Sequence, residues 1–86
     1  NLKYEAHKLL GHCFQKKNKL DLALAQYDKA LAGFHIMNND KKDILYSKGE
    51  CYELQAKTEE AKQCYTQIYE SEIGYKDIAA KMEKFS

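Results

Sequence analysis

Apolar residues recur along this chain at the three- and four-residue steps of one helix face, and polar breaks divide them into five stretches. The second stretch shows the pattern most clearly, with Leu20, Leu24, Tyr27, Leu31 and Phe34 in step. Helices are therefore predicted over about 2–17, 20–37, 40–55, 58–71 and 75–85. Asn18 suits a left-handed stop after the first, with lysines in its last turn. Asn38 and Asn39 break the second. Asp40 is the expected N-cap of the third helix, with Asp43 near its positive end. Thr58 is the expected N-cap of the fourth, with Glu59 and Glu60 suited to its first turn. Gly74 separates the fourth from the fifth, whose stripe is Tyr75, Ile78, Met82 and Phe85.

A second regularity overlies the helical one. His7-x-x-Leu10-Gly11-x-x-Phe14 is matched 38 residues later by Leu45-x-x-Lys48-Gly49-x-x-Tyr52. The same offset carries Cys13 to Cys51, Ala23 to Ala61, Tyr27 to Tyr65 and Ala30 to Ile68. This order reads as a tandem duplication of a helical hairpin. Mid-helix glycine costs about 1 kcal/mol against alanine, so Gly11 and Gly49 imply a close approach of another backbone. Ala23 and Ala61 keep the paired helices near each other, and Phe14, Tyr27, Tyr52 and Tyr65 fill the space between.

These residues resemble the tetratricopeptide repeat, which sets Leu-Gly and an aromatic on its first helix and Ala, an aromatic and Ala on its second. Leu10-Gly11, Phe14, Ala23, Tyr27 and Ala30 carry the resemblance in one unit. Leu45, Gly49, Tyr52, Ala61 and Tyr65 carry it in the other, and together they cover about residues 4–75. The chain departs from the pattern at His7, Lys48 and Ile68, lacks the closing Pro, and has a period of 38 where about 34 is usual. The extra residues amount to one helical turn and are expected around 36–39.

The resemblance implies an all-α fold of tandem antiparallel helical hairpins, a TPR-like α-solenoid of five helices. Repeat one falls at about 4–37, repeat two at about 42–75 and a capping helix at about 75–85, as a piece of a longer protein. It further implies a non-enzymatic protein-interaction scaffold. The first helix of each hairpin would line a concave groove that takes an extended peptide or a partner helix. By motif position the groove residues are Glu5, Lys8, Leu9, His12, Gln15 and Lys16, then Asp43, Tyr46, Ser47, Glu50, Glu53 and Leu54. The first set is net basic and the second net acidic, so a ligand of mixed charge is expected. Lys8 matches one residue of the carboxylate clamp that some members use for chaperone tails, but His12 and Ser47 stand at its Asn positions, so that clamp is not made. Tyr4, Tyr46 and Tyr69 are the tyrosines best placed to be exposed anchors. The alternative is a structural or self-assembly module. Two repeats fall short of the three or so that make such arrays stable, and an exposed end would then pair with another copy or another domain.

Composition narrows the alternatives. The β-branched set is five Ile and two Thr with no Val, which favours helix over sheet. No apolar run approaches the roughly 18 residues of a membrane span. The net charge is +1 and Arg is absent, so neither bulk charge nor a bidentate reader points to nucleic acid. Cys13, Cys51 and Cys64 are odd in number and far apart, which reads as reduced thiols in a cytoplasmic setting. They do not combine with His7, His12 or His35 at zinc-binding spacings. No catalytic, cofactor or metal site is expected.

Overall fold

The computed structural model describes residues 2–85. Five helices follow in order: α1 (Leu2–Lys16), α2 (Leu20–Leu31), α3 (Asn39–Leu54), α4 (Thr58–Ser71) and α5 (Ile78–Glu83). The pairs α1/α2 and α3/α4 are helical hairpins, α2 packs on α3, and α5 packs on α4. Among the described residues there is no strand.

Each hairpin is built on one ring laid against one glycine. Tyr27 and Tyr65 are fully buried. A Cβ added at Gly49 would lie 2.5 Å from Cε1 of Tyr65, and one added at Gly11 would collide with the same edge of Tyr27. The missing side chain is therefore what lets α1 approach α2 and α3 approach α4. Ala23, Leu24, Ala30, Ile44 and Cys51 join Tyr27 in one buried cluster between α2 and α3. Leu45, Ala61, Ile68 and Ile78 join Tyr65 in a second, with Tyr46, Tyr75, Met82 and Phe85 packed against it.

The hairpin turns match bond for bond. Asn18 and Ala56, 38 residues apart, both take left-handed backbone, with φ of 60° and 61°. Lys19 N–H donates to the Phe14 carbonyl at 2.9 Å, and Lys57 N–H to the Tyr52 carbonyl at 2.8 Å. Asn18 N–H reaches Gln15 at 2.9 Å and Ala56 N–H reaches Glu53 at 3.0 Å. Such bonds close the last helical turn and satisfy carbonyls that the helix leaves open. Asn tolerates this conformation, whereas Ala carries its Cβ into strain.

The boundaries differ from the sequence pattern in four places. Helix α2 ends at Leu31, not near residue 37. Gly33 and Phe34 instead make short-range bonds back to Ala30 and Leu31, at 3.0 and 3.1 Å. The Tyr4 ring sits against the Gly33 backbone, where any side chain would clash. Phe34 still packs on the core beside Tyr4, ring centroids 6.4 Å apart, so the apolar stripe continues where the helix does not. The cap of α3 is Asn38, whose side-chain oxygen accepts from Lys41 N–H at 2.9 Å, and Asp40 lies inside the helix. Thr58 is the first residue of α4 rather than its cap; Lys57 holds the cap position without a side-chain bond. The last helix is shorter than expected, and 75–77 form a turn before it.

Two substitutions test this account by urea unfolding. Gly49→Ala adds helix propensity worth about 1 kcal/mol, yet the collision with Tyr65 should make the variant about 1–3 kcal/mol less stable. Ala56→Gly should stabilise by up to about 1 kcal/mol, since relief of left-handed strain outweighs the extra freedom of the unfolded chain.

Candidate functional site

The first helices of the two hairpins, α1 and α3, flank a trough. A cavity of about 350 Å³ is lined by His12, Gln15 and Lys16 of α1 and by Ser47, Glu50 and Leu54 of α3. A second, of about 280 Å³, adjoins it and shares Gln15, Glu50 and Leu54, with Glu53 and Lys81 added. Leu54 is 67% exposed, an apolar surface among polar walls. A larger depression of about 430 Å³ lies elsewhere, but Glu59, Lys62, Gln63, Thr66 and Gln67 all belong to α4, so it has no facing wall.

The walls are fixed from the core outward. The buried Tyr27 hydroxyl donates to Gln15 Oε1 at 2.6 Å and meets His12 Nδ1 at 2.8 Å. Gln15 in turn donates across the trough to Glu50 at 3.4 Å. In the second hairpin the Tyr65 hydroxyl donates to Glu53, the residue 38 positions after Gln15. Each core tyrosine thus presents its ring to a glycine and its hydroxyl to a wall of the trough. Burial pushes both phenols well above their usual range.

Charge is distributed unevenly along the trough. Glu53 bonds Lys81 Nζ at 3.0 Å and Lys84 Nζ at 2.8 Å, so α5 and the residue after it cover its carboxylate. Partial burial pushes the Glu53 carboxyl upward, but donors from Lys84, Tyr65 and Lys81 outweigh it and hold the group at about 2. Asp43 bonds Lys8 at 3.2 Å and Lys76 at 3.3 Å and lies 3.7 Å from His12 Nε2. Its carboxyl is pushed up by burial and more strongly down by those two lysines. The open end is left to Lys16, which is exposed, and to Glu50.

Seven of the residues expected in the groove therefore face these cavities: His12, Gln15, Lys16, Ser47, Glu50, Glu53 and Leu54. Lys8, Leu9 and Tyr46 do not line them. Lys8 is tied to Asp40 and Asp43, and by closing on them it joins α1 to α3. Leu9 is exposed on another side of α1. Tyr46 is half-buried against Tyr65 and Tyr75 at centroid distances of 5.8 and 6.3 Å, with Lys76 and Lys81 over its ring. Lys76, Lys81 and Lys84 were not expected here. Their spacing carries no local signal, because their partners lie 28 or more residues away.

The cysteines are free. Burial pushes the Cys51 and Cys64 thiols up to about 11, so they remain protonated and inert at neutral pH. Among the described residues no group of three or more His, Cys, Asp or Glu is placed to hold a metal ion. No described helix is long and apolar enough to cross a membrane. The chain matches no protein-family model, no curated protein and no solved structure.

The Glu53 cluster has a pH signature. Its folded-state pKa lies below the ordinary 4.5, so ionised Glu53 stabilises the fold above that pH, and the contribution disappears as pH falls toward 2. The melting temperature should drop across this window. Glu53→Gln should flatten part of the drop in thermal melts, leaving the part due to Asp43.

Proposed function

We propose that this chain is a non-enzymatic protein-interaction scaffold that holds an extended peptide or partner helix in the trough between α1 and α3. The observation that carries this reading is the continuity of the two cavities across both hairpins, through the shared Gln15, Glu50 and Leu54. A cleft that runs along two helices suits a linear ligand better than a compact one. The exposed Leu54 offers a contact for an apolar side chain, and Lys16 and Glu50 offer opposite charges on facing walls. The ligand is then an extended segment with an aliphatic anchor between an acidic and a basic residue.

The glycine, alanine and aromatic positions support membership of the tetratricopeptide repeat family, whose groove is used in this way. The spacing of the cysteines supports a cytoplasmic setting. The wall residues bind one another rather than converging on a point, which suits binding better than catalysis.

A peptide library displayed on phage and selected on this chain tests the reading. Selected peptides should shift the amide resonances of Lys16, Glu50 and Leu54. Leu54→Glu, at an exposed position, should fold normally and weaken binding by tenfold or more, about 1.4 kcal/mol. Undiminished binding by Leu54→Glu, or shifts confined to other helices, would refute it.

A further inference from the structure

Away from the trough, the first hairpin holds a cavity of about 410 Å³ lined by Lys3, Tyr4 and His7 of α1, by Lys29 of α2, and by Ala32. Lys3 and His7 stand one turn apart on the same face of α1. Lys29 is exposed and His7 half-buried. His7 Nδ1 lies 2.8 Å from Gln26 Oε1, an acceptor that fixes an N–H at Nδ1 and so holds the ring. The Tyr4 ring is seated on the Gly33 backbone. None of the described residues lining the cavity carries a carboxylate. The duplication shows that the fold does not ask for this lining. At the 38-residue offset His7 becomes Leu45 and Gln26 becomes Cys64, both buried. Lys29 becomes Gln67, and Ala32 becomes Glu70. The second hairpin thus buries two apolar side chains where the first sets a hydrogen-bonded polar pair. It also carries a carboxylate where the first has none. Each exchange gives the first hairpin a polar group or a more positive charge.

We propose that this cavity binds a phosphomonoester. Two ammonium groups, an imidazole and a phenol surround one space, contributed from both helices of the hairpin. A phosphomonoester brings close to two negative charges at neutral pH, and three strong acceptor oxygens to share among these donors. A carboxylate brings one charge and two oxygens, and leaves part of the set unused. Lysine meets phosphate as a point charge, so the absence of Arg from the chain is no obstacle. The cavity is larger than a bare phosphate needs, and the organic group of the ester has room beside the Tyr4 ring and Ala32. With a net charge of +1 the chain has no extended basic track, so the ligand is a single ester rather than a nucleic-acid strand. The same chemistry serves a phosphorylated side chain or a small free ester.

The test titrates the full isotope-labelled chain with phenyl phosphate, with a capped phosphoserine tripeptide and with benzoate, at constant ionic strength. The phosphate esters should give saturable amide shifts at Lys3, His7, Lys29 and Ala32. Benzoate should bind about tenfold more weakly or worse. The ester that binds more tightly identifies the source, a free small molecule or a phosphorylated side chain. Lys29→Glu, at an exposed position, should weaken ester binding by about tenfold. Lys17→Glu makes the same change of charge at an exposed residue beyond the other end of α1 and should leave binding unchanged. His7→Leu installs the residue that the second hairpin buries at Leu45, so the variant should fold and still bind the esters less tightly than the parent chain. Absence of saturable shifts, equal losses in Lys29→Glu and Lys17→Glu, or benzoate binding as tight as that of the esters would overturn the proposal. None of these results bears on the trough, whose readout is peptide binding near Leu54.

Discussion

The contact between a tyrosine ring and a glycine backbone, made once in each hairpin, sets the geometry of everything around it. With a Cβ at Gly11 or Gly49 the ring could not lie flat on the helix, and the paired helices would separate. With the ring in place, the phenol oxygen emerges on the trough side, where it meets Gln15 in one hairpin and Glu53 in the other. A buried hydroxyl must find a partner, because leaving it unpaired costs about 1–3 kcal/mol. The core therefore dictates which atoms the trough walls present, and a change that loosens the core would reach the trough through the same ring.

The two hairpins use this arrangement to different ends. Gln15 is neutral and spans the trough with one hydrogen bond to Glu50. Glu53 is charged and collects two lysines from the C-terminal segment. Of the two, Lys81 also lies over the rings of Tyr46 and Tyr65, whose faces attract ammonium groups. An ion pair at the surface contributes little alone. Here one carboxylate, two ammonium groups and a phenol share a partly buried site, and the cluster helps fasten a six-residue helix too short to persist by itself.

The helical periodicity and the 38-residue offset made much of this legible before any coordinates. Gly11, Gly49, Tyr27 and Tyr65 identified the hairpins because a mid-helix glycine needs a packing reason. The end of α2 was not legible, since Phe34 keeps the helical stripe while Tyr4, thirty residues earlier, forces the turn at Gly33. The caps at Thr58 and Asp40 failed for a related reason. The turn preceding α4 is closed by backbone bonds and needs no side chain, and Asn38, two residues ahead of Asp40, already caps α3 by accepting from Lys41 N–H. Tyr46 reads as an exposed anchor on its own helix, and only the fold brings the lysines of 76–81 over it. Local pattern sees what a residue does to its own helix; it does not see which distant segment arrives on top.

Helix α1 occupies a special place in this balance. It is bound to α2 through a close-packed core, but it meets α3 chiefly through polar groups, Lys8 with Asp40 and Asp43 and Gln15 with Glu50. Polar contacts that water can replace hold a separation less firmly than buried rings do. The width of the trough therefore depends on its weakest set of bonds.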